Sequence, residues 1–522
     1  MGYTEEEAKV LSYFFTNLDK PVFFAKNFHP EVWALMQARY SRASQGMRES
    51  FLLLLKEDAD NYESLVKFLT ENAGGIEVDN ASKKAISFME KWVLGFGHSS
   101  VAEGAVVGIG MEGVSILETK VIEDNRISSF VEKSTRYVSF GRDSFYIDPA
   151  LKNSNYGTRV QEVVDNLFQA YTDLHEPVLD YVKEQAPREE NQSESAWNRS
   201  CAARRFDAIR YLLPACTKTS LGWTVNARAL EHAINKMLSH PLGEMQALGK
   251  ALQDEGTAVL PSLLKYTGKK DYLADTESDM RDYASSLSLD SHPGQIQKAT
   301  LVDAPADLDT QLLTAIVYRY SNAPYEEVKS RMSSLSPEEK EKIYDRYLQK
   351  MGEFDWPMRE LEHSKLTWDI VIDYGAFRDL QRHRVCTQTN QLLTTFYGYS
   401  TPPDIVGAGV QKEYDDAMGA ADELFRELHA EMPYHAQYVV PLGYRHRYLM
   451  SANLREMYHI IKLRSTAHGH FSYREFARLC YDELKGKYPL AMKHAVCNMD
   501  DEELGRLRSE LRFEEKLKRG SV

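Results

Sequence analysis

The sequence predicts an α+β protein made of two pseudo-symmetric halves. Three observations lead there. The chain has 522 residues, and single cores stop growing near roughly 250–300 residues, so two domains are the natural division. Apolar residues recurring at three and four dominate long stretches, which is helical patterning. The chain also resembles itself, with the same landmarks twice in the same order.

The elements follow in chain order. Residues 31–55 read as a helix, as do 159–183, where Val160, Val163, Val164, Leu167, Phe168, Tyr171 and Leu174 form a stripe. Residues 184–199 are polar and read as an insertion. The acidic, Ser-rich stretch 268–309, punctuated by Pro293 and Pro305, reads as a connection between domains. The domains are then 1–267 and 310–499. A further stripe (Tyr414, Met418, Ala421, Leu424, Phe425, Leu428) marks a helix over 411–432, and 500–522 reads as a charged surface helix.

Residues 97–103 (GHSSVAE) echo 362–368 (EHSKLTW). Residues 124–137 (DNRISSFVEKSTRY) align with 382–395 (RHRVCTQTNQLLTT), and 226–232 (NARALEH) with 453–459 (NLREMYH). Pro214 and Pro441 each stand twelve residues before the Asn of the last pair. The offsets are 265, 258 and 227, falling steadily because the second copy is shorter. A duplication explains this better than chance similarity of helices.

Hydrophobic residues are 43% and charged residues 27%, an ordinary globular composition. With 63 basic and 77 acidic residues, the net charge of −14 excludes a global footprint for coating nucleic acid. A few arginines focused in one cleft remain able to hold a small anion. No apolar run approaches the ~18 residues of a membrane span, and the acidic start carries no secretory pattern. Five widely spaced cysteines without CxxC fit a reducing compartment. A cytoplasmic location is expected.

Arg382-His383-Arg384 puts two guanidiniums and an imidazole together. On an extended segment the arginines share one face, and their forks suit phosphate or carboxylate. A solvated basic turn is the plainer alternative. In 129–137, Glu132, Ser134 and Arg136 alternate, so on a strand they would offer an acceptor, a hydroxyl and a cation on one face; an amphipathic edge strand is the rival. Asn226 with Arg228, and Asn453 with Arg455 and Arg464, lie on helical stretches, and Arg474 follows in another. Gly108, Gly110 and Gly113 match GxGxxG weakly, without the alternating strands and helices a dinucleotide fold requires. Close helix packing is the expected reason for them. There is no HExxH, P-loop or GxSxG, and no metal site is expected.

Together these landmarks resemble the flavin-dependent thymidylate synthase family. Its signature is Arg-His-Arg, seven residues, then Ser, within Arg-His-Arg-x-x-Ser-x-Asn-Glu-x-Ser-x-Arg-Tyr. A His-x-Ser/Thr-x-x-Glu-His segment precedes it; Arg-x-x-Leu-Pro, Asn-Ala-Arg and an arginine-ended helix follow. The resemblance covers roughly 20–265 and 310–495. The first copy keeps Arg126, Ser129, Glu132, Ser134, Arg136, Tyr137, His98, Ser100, Glu103, Arg210, Pro214, Asn226 and Arg228. It has Asp124 and Asn125 in place of the triplet's first Arg and His, and Gly104 in place of the His after Glu103. The second keeps Arg382, His383, Arg384, His363, Asn453, Arg455, Arg464 and Arg474. It has Thr387, Thr389, Asn390, Leu392, Thr394 and Thr395 where the rest of the signature would stand. The losses are complementary.

The resemblance implies two copies of that family's domain, each with helices around a small, mainly antiparallel sheet. It implies an enzyme converting dUMP to dTMP with methylenetetrahydrofolate, FAD and NADPH. The catalytic residues would be Ser134, Glu132 and Arg474. Arg382, His383, Arg384, Asn453, Arg455, His98 and Ser100 would hold flavin. Arg136, Ser134, Glu132, Arg210, Arg126 and Arg474 would hold the nucleotide. The family is a homotetramer with sites at subunit contacts, so two tandem chains, a homodimer, would supply four domains. Reductive methylation needs an electron carrier, because no side chain transfers hydride, and arginines for phosphate. No cysteine has an evident base beside it, so a cysteine-nucleophile mechanism is not supported. The split signature also suits a non-catalytic or redirected nucleotide or flavin binder, or a flavin enzyme with another substrate.

Overall fold

The computed structural model describes residues 3–40, 44–56, 99–190, 192–289 and 297–519. The strands in chain order are β1 (Val106–Ser115), β2 (Ser128–Glu132), β3 (Lys218–Asn226), β4 (Ala299–Asp303), β5 (Leu366–Asp373), β6 (Thr387–Asn390) and β7 (Arg445–Ala452). They form two small sheets, ordered β1-β3-β2 and β4-β5-β7-β6, surrounded by helices. The fold is α+β, as the sequence predicts.

The duplication is visible in hydrogen bonds. Ser129 faces Thr224 where antiparallel β2 and β3 pair, and Thr387 faces Ser451 where β6 and β7 pair; the offsets are again 258 and 227. Each copy's first long strand turns into a short helix through a side-chain cap. Ser115 accepts from Glu118 N at 3.0 Å, and Asp373 accepts from Ala376 N at 2.8 Å. The backbone N–H groups of Ile116 and Leu117 bond to Thr217 and Ala215, and those of Tyr374 and Gly375 bond to Tyr444 and Leu442.

The chain folds as two compact units. One comprises Met1–Met111, Ile127–Glu132 and Ser220–Ser288; the other Glu112–Arg126, Lys133–Thr219 and Leu289–Val522. The second unit thus holds a large part of the first copy with all of the second. Within it Pro214 and Pro441 face each other in an antiparallel bridge. Ala215 N bonds to Val440 O and Leu442 N to Leu213 O, both at 2.9 Å. Equivalent residues meet there as if about a twofold axis.

Several expectations change. The helix read over 31–55 is two, Pro30–Tyr40 and Met47–Lys56. That over 159–183 breaks at Leu174 into Gly157–Asp173 and His175–Gln185, although its stripe is buried as read. The polar stretch 184–199 leads into the helix Glu194–Ile209, capped by Ser193. Residues 268–309 carry more than a connection. They hold the helix Asp271–Ser286, with no buried residue, and β4, which adds an edge strand to β5. Gly108, Gly110 and Gly113 lie along β1, not in a helix contact; Gly113 has φ +71°, open to glycine without strain.

Candidate active site

The strand expected through residue 136 ends at Glu132. Ser134 and Arg136 lie in the turn that follows, where Ser134 Oγ accepts from Arg136 N at 3.2 Å. The turn directs Arg136 inward rather than onto a shared strand face. Its guanidinium forms a two-pronged pair with Asp207, at 2.7 and 2.9 Å, and donates to Tyr473 Oη at 2.7 Å. Asp207 stands near the end of the helix Glu194–Ile209, and Arg506 also donates to it, at 2.9 Å. Burial pushes the Asp207 carboxyl up, but Arg136 and Arg506 outweigh it and hold the group well below the usual carboxylate range.

Three residues after Asp207, Arg210 opens the 3₁₀ turn Arg210–Leu212. It is 2% exposed. Its Nη1 reaches Thr135 Oγ1 at 3.4 Å, while Nε and Nη2 have no hydrogen-bond partner among the described residues. Arg464, from the second copy, donates Nε–H to His383 Nε2 at 3.0 Å and stands 3.6 Å from Asp379. Tyr473 lies between the copies' arginines, with its ring centroid 5.5 Å from Arg136 Cζ and 5.3 Å from Arg464 Cζ. Burial raises Asp379, and Arg464, Arg136, Arg210 and Arg382 together lower it further than burial lifts it. The second unit therefore gathers Arg136, Arg210 and Arg464 around two carboxylates and one tyrosine, a site built from both copies.

Two histidines support this cluster, and their tautomers follow from their partners. His470 Nδ1 accepts from Ser472 N, so Nε2 carries the proton and donates to Asp207 O at 3.1 Å. Arginine can only donate, so His383 Nε2 is unprotonated and Nδ1–H donates to Glu456 Oε1 at 2.8 Å. Burial, then Arg464, takes His383 down to about 3. His383, Glu456 and His459 stand close enough to suggest a metal site. The proton that Arg464 forces onto Nδ1 removes that nitrogen as a ligand.

The triplet does not run extended. It sits in the loop between the helix Tyr374–Leu380 and β6, with His383 buried, Arg382 outward at 3.3 Å from Glu123, and Arg384 half-buried. Arg126 braces the same loop by donating to Cys386 O and Thr387 Oγ1, at 3.2 and 2.9 Å. Asn453 caps the helix Leu454–Arg464, and Arg455 is held by Pro357 O and Glu362. In the first copy Asn226 caps a helix and Arg228 pairs with Glu103. His98 and the Ser100 side chain lie outside the described residues. Arg474 opens the helix Phe471–Lys487 and pairs with Asp501 at 3.2 Å. Of the residues aligned with flavin binding, His383, Asn453 and Arg455 are already engaged within the chain. Only Arg384 offers a guanidinium with no side-chain partner among the described residues.

Asp207, Asp379, Tyr473, His470 and Arg506 went unread in the sequence. Tyr473 stands beside Arg474, and Asp207 one helical step before Arg210; those spacings were the available signals. The charged tail is not merely surface, since Arg506 is 8% exposed.

A tandem α+β fold with a composite arginine cluster defines the class: a duplicated domain that brings guanidiniums of both copies together. The family model of the thymidylate synthase complementing protein matches residues 31–262 and 300–490, and the chain belongs to that family. It is 32% identical over 527 residues to a UPF0159 protein of Chlamydia muridarum, covering 98% of each chain. It is 29% identical to a UPF0159 protein of Thermoplasma acidophilum, over 84% of this chain and 93% of that one. A flavin-dependent thymidylate synthase of Clostridium tetani is 25% identical over 193 residues, 36% of this chain and 73% of that protein. Among the described residues no helix is long and apolar enough to cross a membrane.

Proposed function

We propose that the chain binds a pyrimidine deoxynucleoside monophosphate, dUMP, at the cluster of Arg136, Arg210 and Arg464. We further propose that its reaction is reductive methylation to dTMP, with methylenetetrahydrofolate as one-carbon donor and NADPH as reductant. The observation that carries this reading is Arg210. A guanidinium this buried with two N–H groups unpaired is costly unless a ligand oxygen completes it. The fork geometry suits a phosphate or a ring carbonyl gaining charge. This reading requires FAD, since hydride transfer is cofactor chemistry, and it requires a second chain in a homodimer to complete a flavin site.

The internal engagement of His383, Asn453 and Arg455 favours a second reading, a nucleotide binder without flavin. Calorimetric titration of dUMP, with the absorbance spectrum of the purified protein, decides. Saturable dUMP binding and released flavin support the enzyme. Binding by a colourless protein supports the second reading, and no binding removes both.

A further inference from the structure

The C-terminal segment 498–519 lies beyond the stretch 300–490 matched to the family, yet it reaches the arginine cluster. Arg506 Nη2 donates at 2.9 Å to Asp207, the carboxylate that also holds Arg136, and Arg506 Nε donates to His468 O at 3.3 Å. Residues 501–506 roof a cavity of about 260 Å³ whose walls include Asp207, His468 and Arg474. This roof carries its own anion. The Asp501 carboxylate stands 3.2 Å from Arg474 and 2.9 Å from Arg478, and Asp500 O accepts from both, at 2.5 and 2.8 Å. Arg474 directly follows Tyr473, whose hydroxyl accepts from Arg136. A tail carboxylate therefore occupies two guanidiniums beside the cluster, in the place where an anionic ligand would meet them.

The tail is fastened by charge and not by a core. Of residues 499–519 only Arg506 is buried. Arg204 holds Glu503, and Arg199 holds Glu510 at 2.7 Å and Glu514 at 2.8 Å on the helix Leu507–Lys518. Asp501 and Glu503 are 77% and 69% exposed. Such exposed pairs each contribute little and are screened by salt. A segment with few buried apolar groups opens well before the core does. One contact is steric. Gly505 lies so close to Ala467 that a Cβ there would stand 1.9 Å from its carbonyl oxygen.

We propose that the tail is an autoinhibitory latch on the nucleotide site. Closed, it sets Asp501 against Arg474 and Arg478 and covers the Asp207 side of the cluster. Open, it frees those guanidiniums for the phosphate of dUMP. The inference rests on the dUMP reading above. Apparent affinity is then reduced by the fraction of chains with the latch open, so whatever loosens the tail tightens binding. By reciprocity, dUMP favours the open tail.

The test uses the full chain, with calorimetric titration of dUMP and timed tryptic cleavage at Arg508 and Arg512, both exposed. Gly505→Ala crowds the tail off Ala467 while keeping every charge, so it separates opening of the latch from a change of local charge. It should speed cleavage and tighten dUMP binding by about fivefold or more, the scale of an overpacked contact. Glu510→Gln combined with Glu514→Gln releases the helix from Arg199, away from the cavity. It should act in the same direction, by about threefold, and it keeps the test decisive if Gly505→Ala misfolds. Saturating dUMP should speed cleavage of the wild type. Faster cleavage of the variants with dUMP affinity unchanged or weaker overturns the proposal. So does cleavage of the wild type that dUMP leaves unchanged or slows, the latter marking a lid that closes on the ligand. A tail that neither substitution loosens is not a latch either. These results leave dUMP binding standing, whereas failure of dUMP to bind any of the proteins removes the dUMP reading and the latch with it.

Discussion

At equivalent places the two copies carry a guanidinium and an amide. Arg210 and Gln437 each open a 3₁₀ turn four residues before its copy's paired proline. Both are buried. Gln437 is satisfied, since its Oε1 accepts from Leu393 N and its Nε2 donates to Tyr434 O, both at 3.0 Å. Arg210 is left with two unpaired N–H groups. The backbone has been kept in duplicate while the chemistry has not. One copy retains a donor waiting for a partner, and the other has converted that position into structure. The triplet shows the reverse, since His383 has become a brace for Arg464 where Asn125 donates to the local Ile122 O.

The largest expected effect tests whether Asp207 is the brace of the first copy's arginines. Asp207→Asn leaves Arg136 and Arg506 without their shared charge and should cost about 3–5 kcal/mol, read by urea unfolding. The sign in pH follows from its depressed acidity. The stabilisation is complete above the unfolded carboxyl value of about 3.9 and is lost as pH falls toward the lower folded value. An acid-unfolding profile identical in both proteins would remove Asp207 from that role.

Next is Arg210→Gln, which gives the first copy the residue of the second. Affinity for dUMP should fall by about 1.5–3 kcal/mol, the scale of a charged hydrogen bond. Unfolding should need more urea, not less, because unpaired buried donors are removed. A variant that is less stable with unchanged affinity would show that Arg210 is a structural group.

His383→Gln tests the second copy's brace. The folded imidazole titrates near 3, below its unfolded value of about 6.5. Its contribution is therefore complete above pH 6.5 and falls by about 1.4 kcal/mol per pH unit on acidification toward the folded value. Glutamine offers Arg464 an acceptor and Glu456 a donor without titrating. Its stability should vary less between pH 4 and 6.5, and an equally steep profile would place the titration elsewhere.

What was legible followed from local periodicity and repetition. The stripes at 160–174 and 414–428 name their buried faces because helical spacing is a property of the chain itself. The repeat offsets map the pairing of β2 with β3 onto that of β6 with β7. The alternation at 132–136 misled, because a strand pattern gives no sign of where pairing stops. Asp207 and Asp379 were invisible for another reason. A lone carboxylate on a helix reads as solvated until tertiary structure brings arginines from distant segments beside it. Arg506 was missed likewise, in a tail whose charge density suggested surface.

The smallest effect is expected at Thr394, which stands where the first copy has Arg136. Its Oγ1 is buried without a hydrogen-bond partner among the described residues. Valine has nearly the same shape and no hydroxyl. Removing an unsatisfied polar atom should leave stability unchanged or raise it by up to about 1 kcal/mol. Affinity for dUMP should not change, since no charge is lost. The matching test on the other copy is Arg136→Lys, which keeps the charge but cannot reproduce the two-pronged contact with Asp207. If Arg136 serves the nucleotide as well as Asp207, this variant should weaken dUMP binding by roughly tenfold, about 1.4 kcal/mol. Stability lost with affinity intact would make Arg136 a partner of Asp207 alone and leave Arg210 and Arg464 as the ligand's contacts. A drop in dUMP affinity on Thr394→Val would instead show that the second copy holds a nucleotide site of its own.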